Sequence, residues 1–269
     1  MKGIEFYKMV ASGNDFVVID NRRKIISDPI RWTREVCRPH RGVGADGVLL
    51  IEASKKADYK LRILNPDGSE AEACGNGFRC VALLGYEKLG FPKRQHFETL
   101  SGVVEGEIKN GCRVRVRLMD PTEFRDQEQI EVGGRKLHYY FIRTGVPHVV
   151  IFVEGLSKIP VFEIGKAIRF HSTFQPAGTN VNFVEVKGTH AIEVRTYERG
   201  VEEETLACGT GSTASAIVST RAGYIEPPVR VKTQGGEILT VDFVRKGDAI
   251  QKVYLEGEAK FVFEGRLEI

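Results

Sequence analysis

Two short stretches carry residue types that could do chemistry. Ala73-Cys74-Gly75-Asn76-Gly77 and Ala207-Cys208-Gly209-Thr210-Gly211 share one pattern, and their cysteines lie 134 positions apart. Each stretch precedes a run with helical spacing. Each cysteine therefore stands at a helix N-terminus, where unpaired backbone N–H groups and the helix dipole favour negative charge. Such a position is expected to lower a thiol pKa below its free value of ~8.5, and the same N–H groups suit a carboxylate. A carboxylate held between two such termini, with a sulfur on either face of its α-carbon, has the geometry of stereocentre inversion. One sulfur, as thiolate, removes the α-proton, and the other, as thiol, supplies a proton to the opposite face.

Other uses of the pair stay open at this point. A lone cysteine nucleophile wants an adjacent histidine base. Neither loop has one, although His148 could approach through the fold. A redox pair would join the two sulfurs, but neither loop shows a C-x-x-C. A purely binding module would keep the N–H-rich loops without needing sulfur in both. The remaining cysteines, Cys37, Cys80 and Cys112, read as small buried hydrophobes. The odd count, with no secretory signal and no C-x-x-C, argues against a disulfide framework and a zinc site.

The elements that must position these loops follow from periodicity. Ile4–Val10 and Phe16–Asp20 read as strands, Ile30–Cys37 as a helix, and Leu61–Leu64 as a strand before the turn Asn65-Pro66-Asp67-Gly68. A helix is expected over 77–89 and strands over 96–100, 103–108 and 113–118, with Asn110-Gly111 as a hairpin turn. Asp120–Gln129 is charged, contains Pro121 and lacks periodicity, so it is the best linker candidate. Beyond it, strands are expected over 136–143, 148–153, 181–186, 191–197, 229–233, 237–244, 252–255 and 260–263, and helices over 162–170 and 210–222. Gly42-Val43-Gly44-Ala45-Asp46-Gly47 matches G-x-G-x-x-G, but it follows Arg38-Pro39-His40-Arg41 and precedes the β-rich Val48–Ile51. The dinucleotide fingerprint needs a strand before and a helix after, so a nucleotide site is rejected.

Landmarks besides the cysteines keep the same spacing. Gly44 and Gly178, Thr99 and Thr233, and Gly102 and Gly236 are each 134 apart, and Gly13 and Gly145 are 132 apart. This indicates an internal duplication with a period far too long for a solenoid. The expectation is an α/β (α+β) protein of two pseudo-symmetric β-rich domains, each wrapped around a central helix. Packed about a pseudo-twofold axis, such domains would bring Cys74 to face Cys208. The net charge of +3 comes from 39 basic and 36 acidic residues spread throughout. With no basic block or acidic tail, nothing points to nucleic acid or a membrane surface. No apolar run reaches the ~18 residues of a bilayer span, and Met1-Lys2-Gly3-Ile4-Glu5-Phe6 lacks the apolar run of a signal peptide. A soluble cytoplasmic protein is expected.

At these residues the chain resembles the diaminopimelate epimerase family, the PLP-independent enzymes that interconvert LL- and meso-diaminopimelate. The resemblance runs through Ser12-Gly13-Asn14-Asp15-Phe16, Arg41–Gly47, Asn65-Pro66-Asp67-Gly68-Ser69-Glu70, Ala73–Gly77, Pro147-His148, Gly178-Thr179-Asn180-Val181 and Tyr197-Glu198-Arg199-Gly200 to Gly211. It implies that Cys74 is the proton donor and Cys208 the proton acceptor in the LL-to-meso direction, with His148 and Glu198 supporting catalysis. It also implies that Gly75-Asn76 and Gly209-Thr210 cradle the reacting carboxylate, and that Asn14, Asn65, Asn180, Glu198 and Arg199 contact substrate. No cofactor and no metal are implied, and the family suggests a homodimer. The implied first domain is 1–118 with a returning strand at about 258–269. The second is 119–257, with the active site in the cleft between them.

The chemistry of diaminopimelate suits that set, since both of its ends are zwitterionic. Arg199 can bind a carboxylate bidentately, Glu198 can accept from an ammonium, and asparagines can do either. Three departures from the family pattern stand out. Val146 precedes the Pro-His where many members have Asn, Gly47 stands where many have Gln, and Gly200–Ala207 is one residue longer than common. A racemase of the same architecture acting on proline, hydroxyproline or histidine is the first alternative, and a non-catalytic amino-acid-binding module the second.

Overall fold

The computed structural model describes residues 3–268. Met1 and Lys2, in the N-terminal stretch read above, and Ile269, in the expected returning strand, lie outside the described residues. The chain divides into two compact units, one running to Arg117 and resuming from Glu256, the other being Leu118–Leu255. No described helix is long and apolar enough to cross a membrane.

The first unit contains β1 (Ile4–Ala11), β2 (Asn14–Asp20), α1 (Pro29–Val36), β3 (Gly47–Glu52), β4 (Tyr59–Leu64), β5 (Glu70–Ala71), α2 (Gly75–Lys88), β6 (Arg94–Thr99), β7 (Gly102–Ile108) and β8 (Arg113–Arg117). The second contains β9 (Thr122–Val132), β10 (Arg135–Thr144), β11 (Val146–Phe152), α3 (Val161–Arg169), β12 (Asn180–Gly188), β13 (Ala191–Glu198), β14 (Glu203–Thr205), α4 (Gly209–Arg221), β15 (Val229–Lys232) and β16 (Ile238–Lys246). The chain leaves it within β17 (Ala249–Glu258), and β18 (Lys260–Leu267) belongs to the first unit.

The two units repeat one pairing scheme. In the first, β1 pairs antiparallel with β2, β2 parallel with β3, β3 antiparallel with β4, and β4 parallel with β6. In the second, β10 pairs antiparallel with β11, β11 parallel with β12, β12 antiparallel with β13, and β13 parallel with β15. A short helix fills each first parallel crossover and the cysteine-capped helix each second one, as a parallel connection requires. The duplication read from the glycine and cysteine spacing is thus a duplication of topology.

The cysteine-capped helices are buried around their whole circumference, Asn76–Gly85 in α2 and Gly211–Thr220 in α4. An all-round buried helix is the centre of a core, not a surface helix. In α4 this burial includes hydroxyls, which bond back one turn: Thr213 to the Gly209 carbonyl (2.9 Å), Ser219 to Ser215 (2.7 Å) and Thr220 to Ala216 (3.0 Å). Such back-bonding satisfies buried side-chain polarity inside a helix. Apolar clusters fill the space on the other face of the strands, around Trp32 and Val36 in one unit and around Tyr139, Phe141 and Phe174 in the other.

One expectation is corrected. The charged stretch 120–129 is not a linker but the body of β9, which pairs antiparallel with β10 from Arg143↔Thr122 to Arg135↔Val132. Its alternation is hidden because Ile130 alone is buried along the strand. Charged side chains on both faces do other work: Glu123 pairs with Arg143 at 3.0 Å, and the Arg125 guanidinium lies 4.0 Å from the Phe141 ring centre. β9 corresponds to β18, which pairs in the same way with β1. A second correction concerns Cys112, which is partly exposed in the β7–β8 turn, whereas Cys37 and Cys80 are buried.

The rejected G-x-G-x-x-G has a structural use. Gly42 and Gly44 close the C-terminus of α1, donating to the carbonyls of Arg38 (2.9 Å) and Val36 (3.0 Å). A Cβ on Gly42 would lie 2.4 Å from the backbone carbonyl oxygens of both Glu35 and Val36. Backbone cannot swing aside as a side-chain end can. Gly42→Ala is therefore expected to cost about 1–3 kcal/mol, read as a lower urea midpoint. An unchanged midpoint would show that the loop does not press on the helix.

Candidate active site

In the first unit the site begins at Cys74. It has extended backbone angles (φ −149°, ψ 105°), caps α2, and its Sγ accepts from the Gly77 N–H at 3.4 Å. The Gly75 and Asn76 N–H groups occupy the first turn, where helix geometry offers no backbone acceptor. Around them lies a polar network. The Asn76 amide donates to Asn14 Oδ1 (2.7 Å), and Asn14 donates in turn to Asp46 (3.0 Å). Fully buried Arg79, one turn along α2, donates to Asn76 Oδ1 (2.9 Å) and to the Ser12 hydroxyl. The structure thus joins Asn14, Asn76 and the Cys74 turn in one bonded group. Asn65 is placed differently, in the tight turn after β4, where its amide donates to Ser69 Oγ at 2.9 Å.

The second unit repeats the cap. Cys208 is extended (φ −117°, ψ 113°), caps α4, and its Sγ accepts from the Gly211 N–H at 3.4 Å. The Thr210 hydroxyl lies 3.5 Å from the same sulfur, and the Thr210 carbonyl accepts from Thr144 Oγ1 at 3.1 Å. Two cysteines 134 residues apart therefore hold the same capping bond at the same distance. Packing alone does not require that.

Electrostatics correct one expectation. The Cys208 thiol is pushed up to about 12, first by burial and then by the Glu198 charge. The Thr210 hydroxyl and the Gly211 and Thr210 N–H groups pull it back only in part. The helix terminus does favour the thiolate, but desolvation outweighs it. Glu198, at the end of β13, accepts from Thr205 Oγ1 at 2.9 Å, and its charge bears on the Cys208 thiol; burial raises its carboxyl above the ordinary range.

His148, on β11, is fully buried, and burial followed by the Arg199 charge drives its imidazole down to about 3. It is neutral at ordinary pH. Asn180 stands opposite it in the parallel ladder. The Asn180 amide donates to the Pro147 carbonyl (3.1 Å) and accepts from the Arg199 N–H (2.8 Å), so it braces the loop carrying Arg199. The Arg199 guanidinium donates to the Ala177 carbonyl at 2.7 Å. Among the described residues it has no carboxylate partner, and Arg169 and Arg143 lower its pKa further after burial. Arg169 and Arg143 are themselves paired with Glu202 and Glu123, and Glu202 also bears on Arg199, so the Arg199 guanidinium is the group there that suits a ligand carboxylate.

The departures also have places. A Cβ on Gly47 would meet the Leu64 carbonyl oxygen at 2.8 Å, with the Phe16 ring at 3.6 Å, so this chain has no room there for a longer side chain without movement. The glutamates of the longer stretch are structural: Glu202 pairs with Arg169 (3.0 Å) and Glu204 with Arg195 (2.7 Å). Sequence reading missed Thr205, Arg79 and Asn182, each bonded to a residue it did single out or to that residue's neighbour.

The sequence model of the diaminopimelate epimerase family matches this chain in two stretches, residues 6–123 and 140–262. Their starts are separated by the same 134 residues as the cysteines. The chain belongs to the diaminopimelate epimerase family. Similar relatives include the diaminopimelate epimerase of Aquifex aeolicus, 46% identical over 276 residues that cover 98% of each chain. That of Archaeoglobus fulgidus is 41% identical over 280 residues, covering 99% of this chain and 97% of the relative. Among solved structures, a Bacillus anthracis phenazine biosynthesis protein of the PhzF family superposes with a TM-score of 0.75 at 17% identity, covering 100% of both chains. A probable proline racemase from Agrobacterium radiobacter K84 gives 0.71 at 14% identity, covering 99% of this chain and 93% of that one. At such identities these two show the shared fold of two β-rich halves, each around a helix. The epimerase relatives, by contrast, match at the level of sequence along almost the whole chain.

Proposed function

We propose that the protein is a diaminopimelate epimerase that inverts LL-diaminopimelate to meso-diaminopimelate by cofactor-independent proton transfer between two thiols. The observation that carries this is the duplicated cap: Cys74 and Cys208 accept from the third helical N–H at one common distance, in a chain whose relatives are epimerases along their full length. In the LL-to-meso direction Cys208 accepts the α-proton and Cys74 donates one to the opposite face. For that, both sulfurs come within ~3–3.5 Å of one α-carbon, with water excluded while the proton is held. The first-turn N–H groups of Gly75-Asn76 and Gly209-Thr210 receive the reacting carboxylate, whose α-carbanion they stabilise. Asn14, Asn65, Asn180, Glu198 and Arg199 contact the rest of the substrate.

For Cys208 to act as a base its own proton must leave first. Glu198 is the carboxylate whose charge bears on that thiol, and its raised pKa makes it a better acceptor for that proton than an ordinary carboxylate. His148, neutral and buried, lends polarity without charge. The reaction takes place in the cytoplasm, in lysine biosynthesis, with the protein as a homodimer.

The deciding experiment is incubation with LL-diaminopimelate in D₂O, following deuterium at the α-carbon and the appearance of the meso form. Exchange coupled to inversion is expected. Exchange into proline, hydroxyproline or histidine but not diaminopimelate would assign a sister racemase instead, and binding without exchange would leave a binding module.

A further inference from the structure

Asn182 has no assigned part in the reaction, yet it is fully buried and bonded on every side. It lies on β12, two residues after Asn180 and so on the same face of the strand. Its Nδ2 donates to the Val149 carbonyl at 2.8 Å and lies 3.2 Å from His148 Nδ1. Its Oδ1 accepts from Thr196 Oγ1 at 3.0 Å. A Cβ built on Gly211 would lie 2.4 Å from that same oxygen, so the asparagine also abuts the turn whose N–H holds the Cys208 sulfur.

These contacts fix the orientation of the amide. A backbone carbonyl only accepts, so the atom facing Val149 must be the NH₂ nitrogen. The same nitrogen faces His148 Nδ1, and with two hydrogens it can serve both acceptors. Nδ1 must then be the unprotonated nitrogen of a neutral ring. The proton sits on Nε2, which is buried and without a hydrogen-bond partner among the described residues. A buried N–H left unpaired costs roughly 1–3 kcal/mol, and such exceptions call for a use.

We infer that Asn182 is a positioning residue: it locks His148 in the Nε2–H tautomer, presenting one unpaired donor, and at the same time sets the seat of the first turn of α4. The inference rests on reading His148 and Cys208 as parts of the proton-transfer site. Charge keeps His148 in this role only while the ring is neutral, and Arg199, the charged group that bears on it, disfavours protonation. The fixed tautomer adds direction to that neutrality, since the side of the ring bearing the donor is dictated by Asn182.

The test is a long-range proton–nitrogen spectrum of the protein labelled with ¹⁵N-histidine, the His148 signals being identified by their loss in His148→Gln. In the wild type Nδ1 is expected unprotonated and Nε2 protonated. Asn182→Asp offers Nδ1 only an acceptor, so the proton is expected on Nδ1, with kcat for α-proton exchange down about 10²-fold and KM changed far less. Protonated Nδ1 in the wild type would overturn the inference, and this holds even if Asn182→Asp does not fold. So would a folded Asn182→Asp with the wild-type tautomer and kcat. An absence of diaminopimelate exchange in the wild type, alongside the Nε2–H tautomer, would sink the functional reading and leave the positioning of His148 standing.

Discussion

Replacing either Cys74 or Cys208 by alanine lowers the rate of diaminopimelate inversion by about 10³-fold or more, and replacing both is expected to cost little beyond the worse single variant. In the proposed mechanism the two sulfurs are halves of one device: a proton removed from one face is useless unless the other face receives one. Residues that act as a unit lose their effect together, so the free energies do not add. Alanine also removes a helix cap, since each sulfur accepts from the third helical N–H, which costs about 1 kcal/mol of stability. Serine separates the two effects. Its hydroxyl keeps the cap but has no accessible anion, so Cys74→Ser and Cys208→Ser are expected to fold like the wild type and fail to invert. Chiral separation of the diaminopimelate isomers gives the answer, and wild-type inversion in any one of these variants would end the two-thiol mechanism.

The second large effect is on stability in acid. His148 takes up a proton near 6.5 when unfolded but only near 3 in the folded protein, because burial excludes the charge. Between those values the unfolded chain binds more protons than the folded one, so stability is lost as pH falls through this window. For one proton the slope approaches about 1.4 kcal/mol per pH unit. Depressed carboxyls such as Glu202, whose opposing burial is outweighed by the Gly200 N–H and Arg169, act in the same direction at lower pH. Raised Glu198 acts in the opposite one. A difference measurement isolates the histidine: urea unfolding of the wild type and of His148→Gln at about pH 7 and about pH 4.5. The wild type is expected to lose more stability than the variant over this span. Parallel losses would mean that His148 is not held neutral.

Much of this was legible because repetition amplifies weak signals. One A-C-G-x-G is ambiguous, but two in register with recurring glycines and threonines imply two copies of a topology, and the paired ladders of β2–β3 and β11–β12 repeat it. The helices at Cys74 and Cys208 could be placed because a cap followed by helical spacing is a local signal. What stayed hidden depends on burial, which sequence encodes poorly. β9 carries charges on both faces and buries only Ile130, so its strand character comes from its partner. The thiol of Cys208 sits at a helix terminus, as expected, but the depth of its burial reverses the direction of its pKa shift. Asn182 left a trace in Asn180-Val181-Asn182-Phe183, where two polar residues share one face of the strand with Val184 and Val186. Only the packed sheet shows that both are buried.

The strand β18 has a consequence for biosynthesis. It pairs with β1 from Ile4↔Leu267 to Val10↔Lys260, so the first unit joins a segment made before the second unit to one made after it. The second unit is a single uninterrupted segment, with its own counterpart strand, β9, at its beginning. A ribosome therefore delivers everything the second unit needs while the first still lacks an outer strand. Since domains fold as units during synthesis, the order of maturation runs against the order of translation. The half made first is the half completed last, and until Leu267 has been made, β1 offers an unpaired edge to any neighbouring nascent chain.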